Sequence, residues 1–301
     1  MTDDLMHDDC GCTEYRQLSR RQFLGTAAGG LAGATAVFPE WLPKVVLAES
    51  FAGNRDVILS IFQRGGADGL NLLVPFGDAN YYSGRSTIAI PRPDSGLPAS
   101  QRVNALDNFF GFAPALAPLL PAYGAGHLLP MHAVGQTFVS RSHFDAQRFM
   151  EVGKPNDVNF VTGWLGRHLA MMPPVRTTAP LRALGLSSGL PKTLVGAPKT
   201  LPIPTPSNFT IGGSTTTTTV RQAVLNADYA NAPDPVGTAA LNAISTIALL
   251  QSVNFTGYVP NNGAAYPNTS FGRALKAVAT LIRADVGIEA AQVDIGGWDT
   301  H

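Results

Sequence analysis

Three short polar motifs in this 301-residue sequence combine residue types that could do chemistry. They lie at residues 64–71, 140–145 and 298–301, and each follows an apolar run that predicts a strand. Parallel α/β sheets bind their ligands at the carboxyl ends of the strands. The three motifs are therefore candidates for one shared site.

The first motif reads RGGADGLN and holds a carboxylate, Asp68, between glycines. It lacks the Gly-Lys-Ser/Thr of a phosphate-binding P-loop, and its glycine spacing does not match the dinucleotide fingerprint. Asp68 is either a metal ligand at the end of a strand or a turn aspartate that accepts hydrogen bonds from backbone amides. The local sequence alone favours the turn aspartate.

The second motif reads SRSHFD and precedes a predicted helix. A hydroxyl at a helix N-terminus meets free backbone amides and the positive end of the helix dipole, so it could bind phosphate or sulfate or stabilise an alkoxide. Arg141 could clamp the same anion. The alternative is that Ser142 is an ordinary N-cap and Arg141 a surface residue.

The third motif reads WDTH. In an extended segment residues i and i+2 point to the same side, so Asp299 and His301 could bind one ion. Aspartate and histidine together suit zinc, manganese or iron. An Asp-x-His pair is common by chance, so this spacing is a weak signal on its own.

The N-terminal region has the organisation of an export signal. Arg20 and Arg21 precede an uncharged, glycine-interrupted run over 23–38, and Val46-Leu47-Ala48 suits a signal peptidase. The run is too short and too rich in glycine for a stable membrane span. Residues 1–48 are therefore predicted to be a twin-arginine signal peptide. The expected partners are the export machinery and the peptidase, and the expected location is periplasmic or extracellular.

Composition narrows the classes of function. Lys plus Arg and Asp plus Glu both number 21, so the net charge is zero and nucleic acid is excluded as an expected partner. The two cysteines, Cys10 and Cys12, both lie in the predicted leader. The mature chain would then have to hold any metal ion with oxygen and imidazole ligands.

Residues 57–62 form a nearly continuous apolar run rich in branched residues, which is typical of a strand buried on both faces of a parallel sheet. A second strand is expected at 128–134, although its proline suits only the beginning or an edge of a strand, and a further one at 290–295. Strand, glycine turn and helix recur along the chain. The sequence thus predicts an α/β fold with helices on a mostly parallel sheet.

Two helices are expected, over 142–151 and 271–284, with Ser270 as the cap of the second. The recurring pattern of strand, glycine turn and helix is not visible at about 171–262, where prolines and threonines cluster. That stretch is predicted to be a loop-rich insertion or cap within a domain over 49–301. The chain stops directly after a strand and its motif, which predicts a domain that is incomplete at the C-terminus.

Taken in order, four features resemble one bacterial family. They are the twin-arginine leader, RGGADGLN at 64–71, RSHFD at 141–145 and GGWDTH at 296–301. The family is the exported one known as domain of unknown function 1501, which belongs to the alkaline phosphatase and sulfatase clan. The resemblance implies an alkaline phosphatase-like, three-layer α/β/α sandwich.

The resemblance also implies roles for individual residues. Asp68 would be a metal ligand after the first strand, and Asp299 and His301 would match the later Asp/His metal motif of the clan. The nucleophile would be a hydroxyl near the second motif, and three candidates stay open: Ser140, Ser142 and Thr137.

The expected function is a metal-dependent hydrolase of phosphate or sulfate esters, acting on a small-molecule or polysaccharide ester with zinc, manganese or calcium. Family members continue beyond the GGWDTH motif with further ligands. The alternative is a non-catalytic exported protein that uses the same fold to bind a polysaccharide or partner. Convergence of Asp68, Asp299, His301 and a serine within a few ångströms would separate the two. A Ser-His-Asp hydrolase is less favoured, because the sequence has no Gly-x-Ser-x-Gly elbow.

Overall fold

The sheet at the centre of the fold is four-stranded, parallel and ordered β1-β7-β5-β6. Its strands are β1 (Ile58–Gln63), β5 (Ala183–Gly185), β6 (Thr200–Pro202) and β7 (Ala290–Ile295). β1 and β7 pair over their full length. The prediction of an α/β fold with a mostly parallel sheet is confirmed, and the two long strands fall where the apolar runs predicted them. This computed structural model describes residues 56–261 and 263–299.

The fold also contains a second sheet and seven described helices. A small antiparallel sheet has the order β2-β4-β3, and its strands are β2 (Leu73–Val74), β3 (Asn104–Ala105) and β4 (Gly111–Phe112). The helices, which include two short ones, are α1 (Ala79–Gly84), α2 (Leu120–Gly124), α3 (His143–Val152), α4 (Trp164–Met171), α5 (Thr218–Ala230), α6 (Val236–Ser252) and α7 (Ser270–Arg283).

Helices pack on both faces of the central sheet. Neighbouring strand residues point to opposite faces, so the two alanines Ala290 and Ala291 belong to different core clusters. Ala291 packs in the cluster that contains Leu250 of α6 and Leu281 of α7. Ala290 packs in the cluster that contains Leu165 of α4. The interior strand β7 is buried on both faces over residues 290–293, as its position in the sheet predicts. β1 lies at the edge of the described sheet, and Ile58 and Ile61 are 38% and 47% exposed, so the expectation that its run is buried on both faces was wrong.

The caps of α3 and α7 show how local sequence sets the ends of these helices. Ser142 caps α3 as predicted: its Oγ accepts a hydrogen bond from the Asp145 amide at 3.2 Å. The cap of α7 is Thr269, whose hydroxyl accepts from the Gly272 amide at 3.0 Å. The prediction of Ser270 was wrong by one position, because two adjacent residues here both suit an N-cap.

The strand expected at 128–134 is absent, and these residues are irregular. Pro130 has no amide to donate to a sheet, and Ala133 has a φ of 54°, which a strand cannot accommodate. Met131 is 70% exposed, so its apolar side chain joins no core. The segment instead runs over the surface towards α3.

The stretch expected to be loop-rich, about 171–262, supplies regular structure to the fold. It contains β5 and β6 of the central sheet and the helices α5 and α6. Each of these strands has only three residues, which is too short to show a strand pattern in the sequence. The described part of the chain has no helix long and apolar enough to cross a membrane. The predicted leader, residues 1–48, lies outside the described residues.

A buried ion pair joins two elements at the amino edge of the sheet. Arg182 precedes β5, Glu289 precedes β7, and their side chains are 3% and 9% exposed. The guanidinium donates to both carboxylate oxygens, at 2.9 and 2.8 Å, and Nη1 donates to the Leu169 carbonyl at 2.8 Å. The pair therefore ties β5 and β7 to the end of α4.

Removing only the cation of this pair should be costly. We expect Arg182→Met to lower the free energy of unfolding by about 3–5 kcal/mol, because Glu289 would keep a buried charge without its partner. The double variant Arg182→Met, Glu289→Leu should lose less than the sum of the two single variants, since no charge is left behind. Urea denaturation measures all three. Strictly additive losses would contradict this coupling.

Candidate functional site

The carboxyl ends of β1 and β7 bring two of the three motifs into contact. Gly65 follows β1, and the Trp298 amide donates to the Arg64 carbonyl at 3.3 Å. Gly65 has a φ of +131°, and a Cβ at this position would overlap the backbone of Trp298 and Asp299. Only glycine therefore permits this close approach of the two segments.

The third motif contacts the second through one side-chain pair. Nε2 of His143, the first residue of α3, lies 3.1 Å from Oδ1 of Asp299. The His143 ring packs on the backbone of Gly66, where a Cβ would overlap the ring. The side chains of His143 and Asp299 are 32% and 51% exposed. The His143 ring is thus packed against Gly66, and the His143–Asp299 pair is partly accessible to solvent.

An imidazole beside a carboxylate can do two kinds of chemistry. It can transfer a proton, with the aspartate fixing the tautomer and the orientation of the ring. Alternatively, the nitrogen and oxygen atoms can both bind a divalent ion such as zinc or manganese. The location of the His143–Asp299 pair is compatible with both proton transfer and metal binding, because α/β folds bind ligands at the carboxyl edge of a parallel sheet.

Arg64 holds the elements that carry this pair. Its Nε donates to Asp294 of β7 at 3.0 Å, and its Nη1 and Nη2 donate to the two carboxylate oxygens of Glu151 of α3, at 3.0 and 2.9 Å. Glu151 is 4% exposed. Burial by itself would lower the pKa of Arg64, but the hydrogen bonds and charges of Glu151 and Asp294 outweigh burial and raise it. One permanent cation therefore connects β1, β7 and α3.

Asp68, in the first motif, is paired with an arginine. Its carboxylate forms an ion pair with Arg85, which follows α1. The rest of this turn continues the same way: Asn71 donates to the Ile88 carbonyl at 2.9 Å and accepts from the Tyr81 hydroxyl at 2.7 Å. The structure therefore binds the Asp68 carboxylate to a guanidinium, which satisfies its charge.

The described side chains form no three-ligand metal group. Over residues 56–261 and 263–299, no three His, Cys, Asp or Glu side chains lie close enough together to hold a metal ion. Asp299 is brought to His143, and Asp68 is brought to Arg85. His301, the remaining predicted ligand, lies outside the described residues.

The candidate nucleophiles lie on the segment that enters α3. Ser140 Oγ accepts from the Ser142 amide at 3.0 Å, and Ser142 Oγ caps the helix. Both oxygens therefore shape the start of α3, and each hydroxyl keeps its own proton to donate. Thr137 and Arg141 are exposed on the same segment. All three hydroxyls stay candidates, and Arg141 stays available to an anion from solvent.

Three important side chains were not identified as site residues from the sequence: His143, Arg64 and Glu151. His143 and Arg64 stand inside motifs that were singled out, so position was the available signal. Glu151 is an acid on a predicted helix, and only its burial shows that it needs a cation.

No family model, curated protein or solved structure matches the chain. Function must therefore be inferred from the site itself.

The contact between Gly66 and His143 can be tested by adding one methyl group. Gly66→Ala should displace the His143 ring and lengthen its hydrogen bond to Asp299, because the new Cβ would overlap the ring. Gly69→Ala is the matched control, since a Cβ at Gly69 meets nothing within 4 Å. NMR of side-chain nitrogens in ¹⁵N-histidine-labelled protein reports the change. Identical His143 signals in both variants would refute the contact.

The Arg64 network should contribute strongly to stability. Arg64→Met should lower the free energy of unfolding by about 3–5 kcal/mol, because it leaves Glu151 charged, buried and without its cation. Adding Glu151→Gln should recover part of the loss. Arg176→Met is the control, because the partner of Arg176, Asp285, is 63% exposed, and we expect little change. Equal losses in the Arg64 and Arg176 variants, measured in urea, would contradict the assignment.

Proposed function

We propose that this chain is an exported, metal-dependent hydrolase of phosphate or sulfate esters, with its site at the carboxyl ends of β1 and β7. The observation that carries the proposal is the His143–Asp299 pair, 3.1 Å apart and partly open to solvent. Further support comes from the order of the sequence motifs, which resembles domain of unknown function 1501. On the same grounds we propose a three-layer, alkaline phosphatase-like fold, which the packing of helices on both faces of the sheet supports.

The side chains of the pair suit a divalent ion. His143 and Asp299 supply a nitrogen and an oxygen donor close together, and both fit zinc or manganese. Asp68 does not fit as a third ligand while it is paired with Arg85. When bound, a divalent ion would lower the pKa of a hydroxyl or water and neutralise charge on the ester oxygens.

The roles of the chain's own residues follow from their positions. The His143–Asp299 pair can serve in one of two ways: both atoms bind the ion, or, where they do not, Asp299 orients the His143 ring, which can take a proton from an attacking hydroxyl and return it to the leaving group. Ser142 stands at the N-terminus of the ten-residue helix α3, where the helix dipole favours developing negative charge. Arg141 is exposed next to it and can bind the ester oxygens in a bidentate manner.

The alternative, a non-catalytic binding protein on the same fold, is favoured by one observation. The Asp68 carboxylate is paired with Arg85, and a guanidinium in that position competes with a metal ion for the carboxylate. Both proposals include export through the twin-arginine pathway. That part is supported by Arg20 and Arg21 ahead of an apolar run, with Val46-Leu47-Ala48 after it.

Metal analysis and turnover on the exported full chain test the hydrolase proposal. We expect bound zinc or manganese and hydrolysis of p-nitrophenyl phosphate or p-nitrophenyl sulfate. His143→Ala and Asp299→Asn should each reduce turnover by about 10²–10⁴-fold, the usual contribution of a positioned acid or base. His127→Ala and Asp228→Asn, at exposed positions elsewhere, are the controls and should not change it.

Single alanine variants of Ser140, Ser142 and Thr137 identify the nucleophile, because only its loss should abolish turnover completely. Bound ester without metal and without turnover would establish the binding protein instead. Equal rates in the His143 and His127 variants would remove His143 from the mechanism.

A further inference from the structure

A cleft opens at the carboxyl ends of the other two strands of the central sheet. It has a volume of about 720 Å³ and lies between α7 and the segments that follow β5 and β6. Leu186 follows β5 and Pro204 follows β6, and both line it. We call it the β5–β6 cleft. Its position repeats that of the candidate site, one strand pair further along the same edge.

The charges of the β5–β6 cleft have one sign. Two cations of α7, Arg273 and Lys276, line it, and the described lining residues include no carboxylate. Within the described chain the Arg273 guanidinium donates to neutral groups: the Asn268 side-chain oxygen at 2.9 Å, the Asn268 carbonyl at 3.4 Å and the Ser270 hydroxyl at 3.4 Å. These bonds orient the guanidinium and leave its charge uncompensated. The cleft therefore attracts anions.

The rest of the lining suits a flat apolar body beside that charge. Phe255 and Tyr266 supply aromatic rings, and Pro206 and Pro267 supply further apolar surface. Burial raises the pKa of the Tyr266 phenol, and its hydrogen bond with Tyr258 raises it further. The phenol therefore stays neutral and adds no negative charge to the cleft.

We propose that the β5–β6 cleft is a second binding site, for a phosphate-type or sulfate-type anion carried on an apolar ring. Arg273 and Lys276 bind the anion, and Phe255 and Tyr266 contact the ring. The cleft shares no described residue with the pair at β1 and β7. The inference therefore does not rest on the proposed hydrolase.

Non-hydrolysable ring anions test the site without turnover. Calorimetry on the full chain should detect binding of phenylphosphonate or benzenesulfonate, and the stronger of the two identifies the anion type. Benzyl alcohol, which has the ring without the charge, should bind at least about tenfold more weakly. Equal binding of benzyl alcohol and both anions would overturn the proposal.

Variants place the bound anion. Arg273→Gln and Lys276→Gln should each weaken binding by about tenfold. Arg283→Gln, at the far end of the same helix, is the matched control and should leave binding unchanged. Phe255→Leu should weaken binding of the ring anions and leave inorganic sulfate unaffected. Thermal melts of each variant check that the cleft is folded.

The two sites give distinguishable results. His143→Ala should bind the ring anions as the unchanged chain does, whatever its effect on ester hydrolysis. If His143→Ala abolishes binding while Arg273→Gln and Lys276→Gln retain it, the anion binds at the ends of β1 and β7, and this inference fails. If the α7 variants lose binding and no ester is hydrolysed, the cleft stands and the hydrolase proposal fails.

Discussion

The geometry of the candidate site depends on the guanidinium of Arg64. It lies at the end of β1 and bonds to Asp294 of β7 and to both oxygens of Glu151 of α3. His143 stands at the start of the helix that Arg64 holds, and Asp299 follows the strand that Arg64 holds. A lysine has three donors on one nitrogen and could not reach both carboxylates in this planar arrangement. The short His143–Asp299 distance therefore follows from how three elements meet at one cation.

The two edges of the sheet use charge differently. At the amino edge, Arg182 and Glu289 are almost fully buried and satisfy each other, which leaves nothing to offer a ligand. At the carboxyl edge, His143 and Asp299 are partly exposed, and Arg273 lines an open cleft. In a parallel sheet the turns that lead from strands to helices lie at the carboxyl edge. Such turns tolerate sequence changes better than the strands do, so their polar groups can be used for function. The first pair stabilises the fold, and the others can serve binding or catalysis.

Sequence predicted the parts of the fold whose signals are local. β1 and β7 are six-residue strands in which apolar residues predominate, and the Ser142 cap is set by residues within one turn of it. β5 and β6 could not be found, because three residues do not establish a pattern. Residues 128–134 have the apolar composition of a strand, but the backbone at Pro130 and Ala133 excludes it.

The candidate site follows the same rule. Asp299 was identified from its own motif, but its pairing with His143 joins residues far apart along the chain. The pairing of Asp68 with Arg85 is nearer in sequence, yet no residue pattern announces which arginine a turn aspartate will meet. Side-chain partners of this kind are set by tertiary packing. The sequence therefore indicates which residues are chemically capable of a function. It does not indicate which of those residues contact one another in the fold.

The pairing of β1 with β7 also constrains how the chain folds. Arg64 and Asp294 are 230 positions apart, so the β1–β7 pairing can form only after nearly all of the described chain has left the ribosome. Closing so long a loop is entropically slow, and contacts of this range lower folding rates. Until β7 arrives, the apolar face of β1 is open to wrong partners. In a chain with this topology the central sheet is therefore completed late, and β1 stays without its partner strand until β7 has been made.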